Sequence, residues 1–210
     1  MAVLLAAVSL AALFLRIPAD RISRRELYVG GGATAFLLGA IGVGAWIPTD
    51  RPLPSFLISD GAVAAGAAWA LLLVLAVWLA PGRAVAGLYR RYAWMMPRTR
   101  GELVASWAVS LAAGVGEEMA YRGFLLGYSC ALAGPAAAVA LSSLLFGAAH
   151  GYQGRFGMVF GVAAGVVLAL AFLPSGSLLL PIWMHATWNV AAFTLGYRLR
   201  PVLQSEPPAL

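Results

Sequence analysis

The sequence contains no lysine, a single cysteine and little charge of either sign. Charged residues make up only 10% of its 210 residues, whereas 62% are hydrophobic and the mean hydropathy is +0.86. A soluble domain is typically about half apolar and about a quarter charged. Such an apolar excess cannot be hidden in a water-soluble core, so it must face lipid. We therefore predict an all-α, polytopic transmembrane bundle with about seven spans, in a range of about six to eight.

The few charges that are present narrow the range of partners. All 14 basic residues are arginine and give a net charge of +6, but most lie in short loops between apolar runs. This placement indicates membrane topology and contact with lipid headgroups, so we expect the lipid bilayer as a partner and no nucleic acid. Cys130 is the only cysteine, which excludes an internal disulfide and leaves the redox compartment open.

Long apolar stretches recur along the whole chain, and each is a candidate for a membrane-spanning helix of about 20 residues. The stretches are 1–17, 27–47, 61–80, 101–130, 135–150, 155–173 and 178–197. The first lacks the basic start of a signal peptide and is interpreted as a span. The fourth is too long for one perpendicular span, and its Gly114 and Gly116 are candidates for a bend.

The distribution of arginine predicts the orientation and the organisation of the chain. By the positive-inside rule the N-terminus lies outside and the C-terminus lies in the cytoplasm. We expect N-terminal helices with a basic interfacial segment over 1–100, a functional core over 101–197 and a short polar tail over 198–210. The composition favours a bacterial source, and hence the cytoplasmic (inner) membrane of a bacterium.

Six polar residues within or at the ends of the apolar stretches are candidates for a function, because they include both histidines and the only asparagine of the protein. They are Glu117, Glu118, Arg122, His150, His185 and Asn189. Insertion of a charged side chain at the bilayer centre costs roughly 2.5–3.5 kcal/mol, so such residues usually face a bundle interior or a water-filled cavity. Their presence in this composition indicates a polar site within the membrane.

Sequence spacing places several of these residues on common helix faces. Glu118 and Arg122 are four positions apart and can form an ion pair, whereas Glu117 points about 100° away around the helix. His185 and Asn189 have the same spacing and belong to one wall of a cavity. Each of these residues can also have a purely structural role. The charged pair can make its own insertion into the membrane tolerable, and a histidine or asparagine can hydrogen-bond to a neighbouring helix.

Taken together, the polar residues provide the groups that hydrolysis of an acyl bond requires. A carboxylate and an imidazole can hold and deprotonate water, while an imidazole and a carboxamide can donate hydrogen bonds to an oxyanion. One glutamate with two histidines is also a sufficient zinc ligand set. The sequence has neither an HExxH nor a GxSxG motif.

Three short motifs carry a resemblance to a known family. "EEMAYR" matches EExxxR, "FGAAH" matches FxxxH and "HATWN" matches HxxxN, in this order on successive apolar stretches. Over roughly residues 100–195 the chain resembles the CPBP family of intramembrane proteases, which includes the type II CAAX prenyl endopeptidases and many bacterial relatives, the myxosortase-like branch among them. In that family the motifs line a cavity within the membrane that opens to the cytosolic side.

The resemblance implies a role for each matched residue. Glu117 and His150 would activate the attacking water, and His185 and Asn189 would stabilise the oxyanion. Glu118 and Arg122 would orient the site, with Phe146 of the FxxxH motif in support. The common name of the family is metalloprotease, but a glutamate-type mechanism fits the same residues. We expect no obligate metal and retain zinc as the alternative cofactor, with Glu117, His150 and His185 as its ligands.

The expected substrate is a membrane-anchored protein or peptide, such as a bacteriocin-type precursor or a C-terminal sorting signal. The alternative is a non-catalytic membrane protein of the same fold, with a bacteriocin-immunity or scaffold role. A transporter with a Glu/His proton relay is a third hypothesis, but it predicts paired inverted repeats that the sequence does not show.

Overall fold

The computed structural model describes residues 22–49, 54–80 and 82–204, and this part of the chain consists almost entirely of helices. The α-helices are α1 (Arg24–Trp46), α2 (Asp60–Leu79), α3 (Gly82–Arg90), α4 (Arg100–Glu118), α5 (Gly127–Ala149), α6 (Gly154–Phe172) and α7 (Leu179–Gln204). A π-helical segment, Met119–Leu126, joins α4 to α5. No strand longer than one isolated bridge occurs in these residues, so the predicted all-α class is confirmed.

Four stretches of the described chain are long and apolar enough to cross a membrane. They are Arg24–Trp46, Asp60–Leu79, Arg100–Ala149 and Gly151–Phe172. The predicted membrane class agrees with them, whereas the predicted count of about seven spans is not confirmed. The first predicted span, 1–17, lies outside the described residues, and α7, which carries the polar His185 and Asn189, is not among the four.

The longest of these stretches folds back on itself at Gly134. This residue has φ 80° and ψ 166°, a conformation that is essentially restricted to glycine, and Pro135 then begins the second arm. In a straight helix Arg122 and Phe146 would be about 36 Å apart. Instead, the guanidinium carbon of Arg122 lies 4.5 Å from the centre of the Phe146 ring. The predicted fourth and fifth stretches are therefore two arms of a hairpin.

The bend considered at Gly114 or Gly116 is absent, because α4 is continuous through both residues. These glycines instead allow close helix contacts. A Cβ atom on Gly116 would collide with the Ala35 carbonyl of α1, and one on Gly114 would lie 2.8 Å from the Ala186 Cβ of α7. The predicted bend is therefore wrong, and the two glycines bring α1 and α7 against α4.

Hydrogen bonds hold the segment after α3 against the start of α1. The Arg24 Nε donates to the Met96 carbonyl at 2.9 Å, and the Tyr28 hydroxyl donates to the Met95 carbonyl at 2.9 Å. Helix α3 has nine residues, so it reaches only about 14 Å and is too short to cross a bilayer. The basic interfacial segment expected before residue 101 thus includes a short helix and a turn that pack on longer helices.

At the start of α2 and α7, a short backbone pairing joins the two chain segments. Ser55 N–H donates to the Gly176 carbonyl at 3.1 Å, and Leu178 N–H donates to the Ser55 carbonyl at 2.9 Å. Further along the same helices, the Trp69 indole N–H donates to the Met184 carbonyl at 3.2 Å. These bonds fix α2 against α7 and thereby set one wall of the interior.

The π-helical segment lies at the centre of the packing, since every residue from Ala120 to Leu126 is buried. It contributes to two apolar clusters, one with Leu38, Trp46 and Phe146 and the other with Ala138, Ala169 and Phe172. Large apolar side chains cover the outer faces, as expected for helices in lipid. Among them are Phe36, Leu72, Trp78, Phe156 and Val159.

Candidate active site

Glu118 and Arg122 form a buried ion pair where α4 passes into the π-helical segment. Arg122 Nη1 lies 2.8 Å from Glu118 Oε1, and both side chains have 0% exposure. Both residues are on one face because they are separated by four positions, as the sequence predicted. π-helical turns are frequent at functional sites, because the extra residue re-aims nearby side chains.

His185 of α7 completes a cluster that sequence spacing did not predict. Its Nδ1 lies 2.8 Å from Glu118 Oε1, the same oxygen that accepts the bond from Arg122. The imidazole is 6% exposed, so this contact is shielded from water on most sides. Glu118 thus joins the first motif to the third, and it fixes which way the imidazole of His185 faces.

Arg122 extends the cluster to two further helices. Its Nη2 donates to the Gly165 carbonyl of α6 at 3.1 Å, and its guanidinium lies over the ring of Phe146 in α5. Three buried side-chain atoms have no protein partner among the described residues: Glu118 Oε2, Arg122 Nε and Ser143 Oγ. Buried polar atoms of this kind are commonly satisfied by ordered water.

His150 occupies the end of α5 and is held by its own helix. Its Nδ1 lies 2.8 Å from the Phe146 carbonyl oxygen. Because a carbonyl can only accept, Nδ1 carries the hydrogen, and Nε2 is the nitrogen left for another partner. The Phe146 ring lies between the two histidines, with its centre 4.6 Å from that of His150 and 5.6 Å from that of His185.

A cavity of about 430 Å³ lies among these helices, and three of the four predicted catalytic residues line it. They are His150, His185 and Asn189. The remaining wall is largely apolar and aromatic, with side chains from α2, α3, α6 and α7 and from the turn after α3: Trp69, Tyr89, Tyr92, Phe160, Trp188 and Phe193. The volume and lining suit a bound group with apolar side chains and a few polar contacts.

Glu117, the fourth predicted catalytic residue, is not among the residues that line this cavity. It is half-buried and precedes Glu118 directly, so its side chain points to a different side of the helix. The structure therefore places Glu117 near the cluster but does not bring it against His150.

The zinc ligand set considered from the sequence is not assembled. Within the described residues, no three His, Cys, Asp or Glu side chains are close enough together to hold a metal ion. Each histidine uses Nδ1 for a protein oxygen, that of the Phe146 carbonyl or of Glu118, and keeps Nε2 for a ligand bond, but Glu117 does not line the cavity with them. The residues as arranged do not fit a three-ligand zinc site.

Tyr89 of α3 provides a polar group that sequence reasoning missed. It lines the cavity, and burial raises the pKa of its phenol to about 12. Its hydroxyl therefore stays protonated over the physiological range and can donate a hydrogen bond. The only signal in the sequence was a tyrosine within a basic interfacial segment, which is equally typical of a residue that contacts lipid headgroups.

The fold and the site together define a helical membrane protein with a buried His/Glu/Arg cluster beside an apolar cavity. Residues 99–191 match the model of a protease family described as type II CAAX prenyl endopeptidase Rce1-like. The matched segment contains all three motifs, and the match confirms the resemblance that they indicated. Neither a curated protein nor a solved structure gives a significant match to the chain.

Proposed function

We propose that the protein is an intramembrane endopeptidase that hydrolyses a peptide bond of a membrane-anchored protein or peptide. The observation that carries this proposal is the convergence of His150, His185 and Asn189 on one cavity, within a segment that matches a protease family. In a largely apolar cavity, hydrogen bonds and charges act strongly because little water competes with them.

His150 and Glu117 are the proposed activators of water. With Nδ1–H on the Phe146 carbonyl, the Nε2 of His150 can accept a proton from water in the cavity. For Glu117 to take part, its carboxylate must turn towards His150 when substrate binds. The activated oxygen then attacks the carbonyl carbon, the C–N bond breaks, and the proton taken from water passes to the leaving amine.

His185 and Asn189 are the proposed donors to the oxyanion. Since His185 directs Nδ1 to Glu118, it can donate to substrate only through Nε2–H, which requires the doubly protonated imidazolium. The charges can balance in this state, because Glu117 and Glu118 offset Arg122 and the imidazolium. Two adjacent glutamates in an apolar stretch then have different tasks: Glu118 positions His185, and Glu117 acts on water.

The decisive experiment compares processing by the wild-type protein with that by two variants. The purified protein is reconstituted in liposomes with membrane-anchored candidate substrates encoded in its own genome, and cleavage is followed by mass spectrometry. We expect Glu117→Ala and His150→Ala to abolish processing, whereas Val159→Ala, on the exposed face of α6, should not affect it. Unchanged processing by both site variants would contradict the catalytic assignment.

A non-catalytic role, for instance in bacteriocin immunity or as a scaffold, is the second candidate. One observation favours it: Glu117 does not line the cavity, so the water-activating pair is not assembled. This role predicts that wild type and Glu117→Ala are equally active in a cellular protection or assembly assay. Loss of function in the variant would support the protease.

We further propose that the protein resides in the cytoplasmic membrane of a bacterium, with the N-terminus outside and the C-terminus inside. The loop arginines support this orientation. A green fluorescent protein fused to the C-terminus should fluoresce, because it folds in the cytoplasm, whereas fusion of alkaline phosphatase at the same place should be inactive. The reverse pattern would invert the topology.

A further inference from the structure

The turn that directly follows His150 carries a polar residue without an assigned role. Residues Gly151–Gln153 form a single 3₁₀ turn, in which Gln153 N–H donates to the His150 carbonyl at 2.9 Å. The side chain of Gln153 lines the same cavity as His150. A carboxamide is thus held within one turn of the histidine proposed to activate water.

Two neighbours hold the Gln153 amide in place. Its Nε2 donates to the Tyr152 hydroxyl at 2.9 Å, and the ring of Tyr152 stacks on His150 with centres 6.1 Å apart and planes at 27°. On the other side lies Gly157 of α6, where a Cβ atom would collide with the Gln153 Cβ and lie 3.0 Å from its Oε1. The absence of a side chain at Gly157 therefore leaves the room that the glutamine occupies.

The amide retains hydrogen-bonding capacity for a ligand. Among the residues that the structure describes, no protein group bonds to the Gln153 Oε1 or to its second Nε2 hydrogen. A carboxamide offers a donor and an acceptor side by side, which is the complement of a peptide group. Because the cavity wall is largely apolar, a peptide backbone bound there needs such a partner to replace its lost hydrogen bonds with water.

We propose that Gln153 binds the main chain of the substrate next to the scissile bond, through its Oε1 and its free Nε2–H. Tyr152 orients this amide and the His150 imidazole together, so the peptide is held in register with the reacting water. The inference rests on the proposed function, and it adds a substrate-binding residue from outside the three motifs.

The first test measures binding without cleavage. Short peptides that carry an N-terminal palmitoyl anchor and a benzophenone group are photocrosslinked to Glu117→Gln protein in detergent, with and without Gln153→Ala. Loss of one or two neutral hydrogen bonds should lower the yield at subsaturating peptide about five- to tenfold. Equal yields, at any level, would overturn the proposal, even if the wild-type protein cleaves none of these peptides.

The second test uses kinetics on any peptide of this set that the wild-type protein cleaves. Gln153→Ala and Gly157→Ala should both raise KM about five- to tenfold and change kcat by less than about twofold, since the second variant displaces the amide without removing it. Gly44→Ala is the matched control, because a Cβ atom there meets nothing within 4 Å. A fall in kcat at constant KM would overturn the binding role and leave the protease assignment intact.

Discussion

The Nδ1 atom of His185 lies 2.8 Å from Glu118 Oε1, although the two residues are 67 positions apart in the chain. This contact joins the last of the three motifs to the first through a carboxylate with no exposed surface. Glu118 accepts a hydrogen bond from Arg122 on the same oxygen, so this one atom holds both the Arg122 guanidinium and the His185 imidazole in place. This arrangement of the site leads to predictions for the stability of the protein, the protonation of its histidines and the rate of processing.

Replacement of Arg122 by methionine should strongly destabilise the protein. The guanidinium is fully buried against Glu118, and its removal leaves the buried carboxylate paired with the His185 imidazole but without its permanently charged partner. Breaking a buried pair in this way typically costs about 3–5 kcal/mol, whereas replacing both partners costs much less. Thermal unfolding in detergent should therefore show Arg122→Met as less stable than the double variant Glu118→Gln/Arg122→Met.

The control for this series is Arg155→Met, because Arg155 is exposed at the start of α6. We expect its unfolding temperature to match that of the wild type. A double variant that is less stable than Arg122→Met would show that the ion pair is not the source of the loss.

The hydrogen position on His150 can be observed directly by NMR. Its Nδ1 lies 2.8 Å from the Phe146 carbonyl, so Nδ1 should carry the hydrogen in the neutral ring. The protein has two histidines, and a His185→Asn sample would assign their ring ¹⁵N signals. Detection of the Nε2–H tautomer for His150 would contradict both the contact and its proposed use as a base.

Loss of the Asn189 carboxamide should slow the chemical step and leave substrate binding largely intact. Removal of one oxyanion donor typically lowers kcat about 10²- to 10³-fold. We expect this for Asn189→Ala, with KM changed by less than about threefold. Thr187→Val on the same helix is the control, because its hydroxyl bonds the Trp183 carbonyl of its own helix. Equal loss in both variants would indicate general damage to α7.

Alanine at Gly134 should destabilise the hairpin, because φ 80° with ψ 166° is a conformation that side-chain-bearing residues rarely adopt. The expected cost is about 1–3 kcal/mol. At Gly44, inside α1 with open space around it, alanine should instead be neutral or favourable by up to about 1 kcal/mol. Comparison of the two unfolding temperatures checks the difference, and equal values would contradict the break at Gly134.

A metal chelator tests whether processing requires a metal cofactor. Because Glu117, His150 and His185 do not assemble into a three-ligand site, we expect processing to continue in EDTA-treated, metal-free buffer. Loss of activity on chelation that stoichiometric zinc restores would show that substrate or metal binding rearranges these side chains.

Much of this architecture can be predicted from the sequence, and the features that could not be predicted have physical causes. Composition predicted a helical membrane protein, because the apolar excess is visible without knowledge of the fold. Four-residue spacing predicted the Glu118–Arg122 pair, because both residues lie on one helix. The bond between His185 and Glu118 depends on how α7 packs against α4, which no local spacing encodes. For the same reason, Gly114 and Gly116 were considered bend points and proved to be contacts with other helices.

Residues outside the recognised motifs were the hardest to anticipate. Gln153 and Tyr89 are ordinary side chains near predicted membrane boundaries, and only the folded chain shows that both line the cavity. The predicted count of about seven spans is not confirmed, because the first stretch lies outside the described residues and α7 is not among the four stretches that are long and apolar enough to cross a membrane. The division of the chain at residues 100 and 197 stays a prediction.

Gly134 lies midway along the chain between Arg122 and Phe146, whose side chains meet across the hairpin. The two arms are therefore equally long between the turn and this contact. One residue inserted into a single arm would shift its far end by about 1.5 Å and rotate it by about 100°, and the guanidinium would no longer face the ring. For this pair of helices, arm length constrains sequence divergence in addition to the motif residues, and only insertions of whole helical turns in both arms would keep the guanidinium facing the ring.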